Sequence, residues 1–433
     1  MCYFARVFCI LYLILVAARL LEAQRTIVDE AENREQSSIG ASWPEFRGPG
    51  RSGVSEETGL LREWSEGGPK TVWRRSLGEG FSGVSVSGGY VYTLFATAED
   101  EFLVCIQAAD GEEVWHVRIG DKFHDEFGNG PRATPTIDQG TVYALSSGGR
   151  LLAAEAASGQ VAWQLELTER YPITIPQWDI SGAPTTGSPS PLWGHSSSPL
   201  VYQDLLIVYT GAGNGKSLVA FDKRTGKPRW TALDNAITYS SPMVAKIGGR
   251  SQIILLAARE IISVLPTGEV LWSIPWAPTM SQPLFIPPDE IFFSTSLDIG
   301  ALLTRISIAD RAVNTEIVWK SRIMKNLHSS SVYYRGNIYG FDNATLKCIF
   351  ADTGELRWAK RGLGKGTLVA ADGLLMVLSD RGLLALVEAN PDGFEEKGRI
   401  QVLEGRTWTA PTIAGGKLYL RNHEELVCLD LKE

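Results

Sequence analysis

The sequence contains few of the side chains that build metal centres or disulfide frameworks. Its 433 residues include five cysteines and five histidines, which form neither a Cys-x-x-Cys pair nor a His-Glu-x-x-His motif. No Gly-x-Ser-x-Gly turn is present, which argues against a hydrolase with a nucleophile elbow. A basic excess is missing as well, because 41 lysines and arginines face 49 acidic residues and leave a net charge of -8. We therefore expect neither a zinc site nor a nucleic-acid partner.

The N-terminal apolar run is too short to span a membrane as a helix. Residues 7–18 are almost all apolar and follow Arg6, whereas a spanning helix needs roughly 20 such residues. We predict a signal peptide over residues 1–23, cleaved after Ala18 or Ala23, with a retained anchor as the alternative. The chain is then exported to the periplasm or the extracellular space, with no transmembrane domain after cleavage. Residues 24–42 are charged and lack apolar periodicity, which predicts a flexible linker.

One short motif recurs along the rest of the chain. A glycine stands four residues before a tryptophan in five places: Gly111 and Trp115, Gly159 and Trp163, Gly226 and Trp230, Gly268 and Trp272, and Gly354 and Trp358. Trp73 and Trp319 occupy the same position in weaker copies, and a further copy near Ile400 has lost its tryptophan. The resulting interval of roughly 40–50 residues is the period of β-propeller blades.

Each copy of the motif predicts four short antiparallel strands and no helix. The turn before the tryptophan combines Asp, Thr or Ser with Gly, as hairpin turns favour. Counting the copies gives eight, so we predict an all-β fold, an eight-bladed β-propeller of four-stranded antiparallel blades over residues 43–433. The last copy stops after three strands. Residues 71–77, which include Trp73, are therefore predicted to supply the missing strand, so that an N-terminal strand closes the ring.

The three cysteines beyond the signal peptide are predicted to be unpaired. Aligning the third strands places Cys105, Cys348 and Cys428 where the other copies have alanine or serine. Such a position is small and buried, and cysteines in separate blades lie too far apart to form a disulfide. We expect three free, buried thiols.

The repeats resemble a known family. The segment LVAFDKRTGKPRW, residues 218–230, resembles the tryptophan-docking repeat of pyrroloquinoline quinone (PQQ) dehydrogenases and their non-catalytic relatives. Segments WPEFRGPGRSGVS (43–55), GPRATP (130–135) and WGHSSSPL (193–200) look like those of exported PQQ-like β-propeller repeat proteins, a family similar to the outer-membrane assembly factor BamB. The resemblance implies a non-catalytic scaffold or binding protein of the cell envelope, whose partner is a protein or a small ligand. The alternative that it implies is a PQQ-dependent quinoprotein oxidoreductase of the alcohol dehydrogenase type.

The same resemblance states what a quinoprotein enzyme would need. Its relatives hold PQQ on the propeller axis with a Ca²⁺ ion bound by Glu, Asn and Asp, an arginine near the quinone, a catalytic Asp and often a vicinal Cys-Cys pair. This sequence has no Cys-Cys pair, and the segments that would face the axis offer hydroxyls rather than carboxylates. Arg132 is the best candidate for the arginine, but it lacks an acidic companion in the sequence. We therefore predict no catalytic residue, no metal ligand and no cofactor, with PQQ and Ca²⁺ as the alternative.

A candidate binding face lies in the loops that precede the first strands of the blades. Their spacing places several polar and aromatic residues around the axis at one end of the ring: Arg132, Trp193, His195, Tyr239, His328 and Trp408, together with Trp178 and Lys365. The longest insertion, residues 171–194, is rich in Pro, Gly and Trp and is predicted to form an ordered lid over this face. The alternative is that these side chains only plug the channel mouth. We expect the chain to act as a monomer.

Overall fold

The structure is a computed structural model that describes residues 42–173, 177–178, 184–185, 191–277, 280–296, 299–309 and 312–432. These residues contain one short α-helix, α1 (Leu167–Arg170), and a 3₁₀ turn at Pro49–Arg51. No helix within them has the length and apolar composition that crossing a bilayer requires. The predicted signal peptide, and the predicted linker up to residue 41, lie outside the described residues.

The strands form eight four-stranded antiparallel blades that follow one another along the chain, and a short fifth strand, β1 (Val54–Ser55), joins the sheet of blade 7 in parallel. Two strands come first, β1 (Val54–Ser55) and β2 (Thr71–Ser76). Blades 1 and 2 comprise β3 (Ser85–Ser87), β4 (Tyr90–Ala96), β5 (Asp100–Gln107) and β6 (Glu113–Asp121), then β7 (Thr136–Asp138), β8 (Thr141–Leu145), β9 (Arg150–Glu155) and β10 (Val161–Glu166). A separate two-stranded pair, β11 (Gln177–Trp178) and β12 (Pro184–Thr185), lies in the insertion before blade 3.

The remaining blades repeat the pattern. Blades 3 and 4 comprise β13 (Leu200–Tyr202), β14 (Leu205–Ala212), β15 (Lys216–Asp222) and β16 (Pro228–Ala232), then β17 (Met243–Ile247), β18 (Arg250–Leu256), β19 (Glu260–Val264) and β20 (Val270–Pro275). Blades 5 and 6 comprise β21 (Leu284–Ile286), β22 (Glu290–Thr295), β23 (Gly300–Ala309) and β24 (Ala312–Ser321), then β25 (Val332–Tyr334), β26 (Asn337–Asp342), β27 (Thr345–Phe350) and β28 (Leu356–Arg361). Blade 7 comprises β29 (Thr367–Ala371), β30 (Leu374–Leu378), β31 (Leu383–Glu388) and β32 (Glu396–Gln401), and blade 8 contains β33 (Thr412–Ala414), β34 (Lys417–Arg421) and β35 (Glu425–Asp430).

The N-terminal strand completes blade 8. Strand β2 pairs antiparallel with β35, and Trp73 stands opposite Cys428. The sheet order is therefore β2-β35-β34-β33, in which the outermost strand comes from the start of the propeller and the other three from its end. This confirms the predicted eight-bladed fold closed by an N-terminal strand. Closure gives blade 8 its fourth strand, so the edges that remain in the ring are the short outer strands of single blades, which limits edge-to-edge association.

The recurring tryptophans join neighbouring blades. Trp115 of blade 1 lies against Gly159 of blade 2, so that a Cβ added to this glycine would stand only 2.7 Å from the indole ring. The indole Nε1 also donates a hydrogen bond of 3.1 Å to Ala156 O of the same neighbouring blade. Gly159 has a φ of 73°, which a side chain would strain, so the motif needs glycine for two reasons. The corresponding contacts are those of Trp73 with Gly111, Trp163 with Gly226, Trp230 with Gly268, and Trp319 with Gly354.

Blade 4 departs from this docking pattern. Its Trp272 donates Nε1 to the Gln252 side chain of its own blade at 2.9 Å rather than to a carbonyl of blade 5. The reason lies in blade 5, whose outer strands β23 and β24 form a long hairpin instead of the short Gly turn that receives an indole. The apolar cluster between these blades joins Trp272 and Trp276 with Phe293 instead.

The third strands hold the cysteines as predicted. Cys105, Cys348 and Cys428 are free and buried. Each lies opposite a tyrosine on the second strand, as Cys105 does with Tyr92, and opposite the outer tryptophan, as Cys105 does with Trp115. Ala153 of blade 2 occupies the same register between Tyr143 and Trp163, so the alignment with alanine is confirmed.

Candidate functional site

The channel along the propeller axis is filled by the chain's own residues 43–55, here called the axial segment. Trp43 exchanges two backbone hydrogen bonds of 2.8 Å with Val86 of blade 1. Ile137 N of blade 2 donates to Pro44 O at 2.8 Å. Strand β1, at the end of the segment, pairs in parallel with β29 of blade 7. The segment therefore contacts the first strands of separate blades and blocks the channel.

Arg51 fastens the axial segment to blades 3 and 4. The residue is 1% exposed, and its Nε pairs with the Glu45 carboxylate at 2.9 Å. Nη2 donates to Pro199 O at 2.5 Å, while Nη1 donates to Ser198 O at 3.2 Å and to Pro242 O at 2.8 Å. The buried charge therefore has a carboxylate partner and three carbonyl acceptors, the arrangement that makes burial of an ion tolerable.

Arg47, four residues earlier, is buried without a carboxylate. It is 4% exposed, and its hydrogen bonds within the described residues come from Nη2 alone, to Ser331 O at 2.7 Å and to Ser52 O at 3.4 Å. Its Nε is buried and has no partner there. Burial lowers the pKa of Arg47 to about 10, because the charged form is poorly solvated. Arg47 has a φ of 61° and Arg51 one of 58°, in the left-handed region that side chains other than glycine rarely occupy.

A cavity of about 460 Å³ lies on the axis next to the axial segment. Trp43, Phe46 and Arg47 of that segment form its floor. Its walls come mostly from the loops that precede the first strands of the blades, because these strands begin on the cavity side of the ring. The cavity is therefore a blind pocket at one end of a blocked channel.

The structure brings most of the predicted face to this cavity. The lining includes five of the six predicted face residues and the additional lysine: Arg132, Trp193, Tyr239, His328, Trp408 and Lys365. The side chain of Trp178 lies outside the described part of the structure. So does most of the insertion 171–194, which was predicted to form a lid.

Aromatic rings form two groups on the cavity wall. The Phe81 and Trp408 rings stack with centroids 5.3 Å apart, and the His328 ring lies 5.2 Å from Trp408. The Trp193 and Tyr239 rings lie 4.9 Å apart. The first group comes from the loops before blades 1, 8 and 6, and the second from the loops before blades 3 and 4. The two groups therefore occupy different arcs of the ring.

Arg132 is held in place by its own loop. Its Nη1 donates to Gly130 O at 2.9 Å and its Nη2 to Gly128 O at 2.8 Å. Nη2 also lies 3.4 Å from the Asp125 carboxylate, and the guanidinium stands 5.2 Å from the centre of the Phe123 ring. The expectation that Arg132 lacks an acidic companion is therefore wrong. That companion lies seven residues earlier in the same loop, which folds back on itself.

Two other lining side chains are uncharged at neutral pH. Burial lowers the pKa of His328 to about 4, so its imidazole is neutral. Burial also raises the pKa of Tyr239, whose hydroxyl oxygen accepts a 3.2 Å hydrogen bond from Trp193 N. Neither group adds charge to the cavity near pH 7.

His195 is placed differently from the other predicted face residues. It does not line the cavity, and it is only 3% exposed. Its backbone N donates to Ser147 O at 2.9 Å, and a Cβ added to Gly149 would lie 3.0 Å from its Nε2. Burial lowers the pKa of His195 to about 4, and neither ring nitrogen has a hydrogen-bond partner within the described residues. The imidazole thus packs between blades 2 and 3 rather than facing the axis.

Sequence reasoning missed the floor of the cavity. Trp43, Phe46 and Arg47 lie in a segment that the sequence singles out only for its resemblance to a family. An available signal was the pattern Phe-Arg-Gly-Pro-Gly-Arg, in which two arginines are interleaved with residues that permit tight turns. Only the three-dimensional structure shows that these turns carry one arginine to the cavity.

The lining does not fit the calcium–quinone site that the family resemblance implies. Its two carboxylates are those of Asp125 and Asp380, and both already accept backbone hydrogen bonds, from Phe127 N at 2.7 Å and from Lys365 N at 3.2 Å. No group of three or more His, Cys, Asp or Glu side chains that could hold a metal ion exists among the described residues. Ca²⁺ takes six to eight oxygen ligands, so this set of donors is too small.

Comparisons with known proteins agree with this architecture. The family described as outer membrane protein assembly factor BamB matches residues 57–186 and 185–282, which together make up more than half of the chain. No curated protein matches the sequence. Among solved structures, BamB from Moraxella catarrhalis is similar with a TM-score of 0.57 and 13% identity, over 84% of this chain and 98% of that one.

Two further structures share the fold. The quinohemoprotein alcohol dehydrogenase from Comamonas testosteroni has a TM-score of 0.50 and 11% identity, over 92% of this chain and 82% of that one. The computationally designed Ika8 protein has a TM-score of 0.52 and 11% identity, over 82% and 98% of the respective chains. At such identities the likeness shows the fold alone, and the fold hosts unrelated functions.

Proposed function

The chain belongs to the family of PQQ-repeat β-propellers described as outer membrane protein assembly factor BamB, and on this premise we propose that it is a non-catalytic binding scaffold exported to the cell envelope. In this proposal the protein acts as a monomer, with a protein or a small ligand of the envelope as its partner. The cavity face of the ring, which carries Arg132, Trp193, Tyr239, His328 and Trp408, is the proposed binding face.

One observation carries this proposal: the polar groups of the cavity wall are held by the wall itself. Asp125 and Arg132 bond to each other and to backbone groups of their own loop. The His328 imidazole is neutral and lies tilted against Trp408, and no hydrogen bond joins it to a hydroxyl or thiol within the described residues. General acid–base or nucleophilic catalysis needs such a pair within hydrogen-bond reach. Fixed polar groups among aromatic rings are instead suited to recognition.

The position of the cavity supports the same function. The loops before the first strands converge on the axis, so side chains from all eight blades meet in a small area. The turns before the docking tryptophans, such as that at Gly226, lie at the circumference and are separated by whole blades. A partner that docks at the axis would therefore contact many blades at once, whereas one at the circumference would contact one or two.

The second candidate is a PQQ-dependent oxidoreductase. The observation that favours it is the cavity itself, which lies on the axis, carries rings on its walls and has Arg47 and Arg132 in its lining. A planar anionic quinone could enter such a space. The small number of carboxylates argues against the Ca²⁺ ion that would accompany the quinone.

A titration separates the two functions. The purified protein is mixed with PQQ and Ca²⁺, passed through a desalting column and examined by absorbance, and it is then assayed for dye-linked oxidation of primary alcohols. The scaffold proposal expects no alcohol oxidation, whether or not PQQ is retained. Retention of one PQQ per chain together with alcohol-dependent dye reduction would overturn it.

Binding at the proposed face is tested by partner capture. Trp408→Ala removes a half-buried ring of the cavity wall, whereas Trp358→Ala removes a docking tryptophan between blades 6 and 7 as a matched control. Capture of the native partner from envelope extract should fall with Trp408→Ala when compared per folded molecule, and it should persist with Trp358→Ala. Equal capture by both variants would place the partner elsewhere.

A further inference from the structure

The cavity floor carries a positive charge that the protein does not neutralise. Arg47 is almost fully buried, yet its hydrogen bonds within the described residues run only to carbonyl oxygens, from one of its three nitrogens. Carbonyl dipoles reduce the cost of burying a cation but do not cancel its charge. Arg51 is the internal comparison, since it lies in the same segment with the same unusual φ and pairs with Glu45. The axial segment can therefore supply a counter-ion to a buried arginine, and it does so for only one of the two.

The carboxylates of the cavity walls do not balance the positive charges of the lining either. The lining has two carboxylates, and Asp125 is paired with Arg132. Asp380 accepts a hydrogen bond from Lys365 N, in a loop that also brings the lysine side chain to the lining. Counting Arg47, Arg132 and Lys365 against the two aspartates leaves one positive charge in the lining.

The walls define the other half of the ligand. Phe81, Trp408 and His328 form one group of rings, and Trp193 and Tyr239 form another on a different arc of the axis. The Trp408 ring is already covered by Phe81 and by the Arg406 guanidinium, 4.7 Å from its centre. The half-buried rings of Trp193 and Tyr239 are therefore the ones on which a flat aromatic body can stack, and such stacking adds to the burial of its apolar surface. A volume of about 460 Å³ accommodates a ligand of one or two rings with a side chain.

We infer that the cavity binds a small aromatic carboxylate, with the rings of the walls holding its aromatic body and Arg47 at the floor pairing with its carboxylate. This inference rests on the proposed function, because it names the ligand class of the same face. It assigns Arg47 the role of counter-ion to the ligand. The planar guanidinium suits a planar carboxylate, and a charge-assisted hydrogen bond is stronger than a neutral one.

The test compares two probes that differ only in charge. Indole-3-acetate and indole-3-acetamide have the same ring and nearly the same shape, but only the first carries a carboxylate at neutral pH. Calorimetric titration of the full-length protein should show tighter binding of the acetate by about tenfold or more, as expected for a hydrogen bond to a charged group. Equal affinity for both probes, or no binding of either, would overturn the inference.

Variants assign the preference to Arg47. Arg47→Gln should abolish the preference for the acetate, whereas Arg47→Lys should retain part of it. Arg229→Gln is the matched control, because Arg229 is an exposed arginine on the outer strand of blade 3 that pairs with Asp222 at 3.0 Å. The preference of this variant for the acetate over the acetamide should stay within about twofold of that of the unaltered protein. If Arg47→Gln does not fold, loss of part of the preference in Arg47→Lys gives the answer. A full preference in either folded Arg47 variant would refute the role of this residue.

The outcome can be separated from that of the proposed function. Retention of PQQ with alcohol oxidation would refute the scaffold, whatever the indole probes do. Failure of the indole probes, with partner capture still sensitive to Trp408→Ala, would refute only the aromatic carboxylate and leave the scaffold standing.

Discussion

Replacing Arg51 by methionine should destabilise the protein far more than replacing Arg47 by methionine. Both arginines are buried in the axial segment with nearly equal φ, so methionine meets the same backbone strain at either position. Their partners differ. Arg51→Met leaves three carbonyl oxygens without their charged donor and leaves the partly buried Glu45 carboxylate unpaired. Breaking a buried ion pair from one side typically costs about 3–5 kcal/mol.

The loss at Arg47 should be much smaller. Arg47→Met removes one good hydrogen bond, to Ser331 O, which is worth about 1.5–3 kcal/mol for a charged donor. It also removes a buried charge that has no carboxylate partner, and this relief offsets much of the loss. We therefore expect Arg47→Met to lie within about 1 kcal/mol of the unaltered protein in its free energy of unfolding.

Urea unfolding followed by tryptophan fluorescence measures the difference. The double variant Glu45→Gln with Arg51→Met should lose less stability than the sum of the two single variants, because the carboxylate that Arg51→Met leaves unpaired is no longer charged. Equal losses for Arg51→Met and Arg47→Met would refute the distinction between a structural and an uncompensated arginine. A stability loss of 3 kcal/mol or more for Arg47→Met alone would do the same.

Three further predictions concern the ring and its buried groups. Deleting residues 24–77 removes both the axial segment and β2, and it should greatly lower the thermal midpoint. A truncated chain as stable as the chain that begins at residue 24 would contradict closure by β2. Burial raises the pKa values of Cys105 and Cys348 to about 11 and that of Cys428 to about 12, so thiol labelling should be slow in the native state even at pH 9. In a chain that begins at residue 24, labelling should reach three thiols after denaturation, and fast native labelling would contradict their burial. Burial lowers the pKa of His195 from 6.5 to about 4, so between these pH values the unfolded chain takes up a proton that the folded chain does not. The free energy of unfolding should therefore fall by about 3 kcal/mol as the pH falls through this range. His195→Asn should lose less stability between pH 7 and pH 4 than the unaltered protein, and an unchanged pH dependence would count against the buried neutral imidazole.

The blades could be predicted from the sequence because each is built from local contacts. Gly159 forms the hairpin turn of its own blade and receives Trp115 of the preceding blade, while Trp163 packs on the next blade. The spacing of Gly159 and Trp163 therefore reflects contacts with both neighbouring blades. The exception at Trp272 follows from the next copy, in which Thr315 stands four residues before Trp319 where the other copies have the receiving glycine. The long hairpin of blade 5 shows that the receiving turn is missing.

The cavity was harder to predict because distant parts of the chain form it. Convergence of the loops on the axis follows from the repeat, and it places Trp193 and Trp408 in the same cavity. The repeat has no rule for its own N-terminal extension. Arg47 bonds to Ser331, 284 positions along the chain, and no local pattern encodes that contact. The side-chain direction of His195 was also not predictable from the repeat. His195 follows the turn at Gly194 by one residue, and its side chain lies between two blades instead of pointing toward the axis.

The backbone of the axial segment is strained at both of its buried arginines. A non-glycine residue with a left-handed φ costs on the order of 1 kcal/mol, and the axial segment contains two of them although glycines stand nearby in the same turns. At Arg51 the strain places a guanidinium where four acceptors from two blades and the segment itself meet, so stability alone explains it. Arg47, which lines the cavity, has the same strain but only one carbonyl at good distance from its guanidinium, so stability does not explain it. Backbone strain that no contact within the protein compensates is expected where a side chain binds a ligand. The cavity that Arg47 lines is the space in which such a ligand would bind.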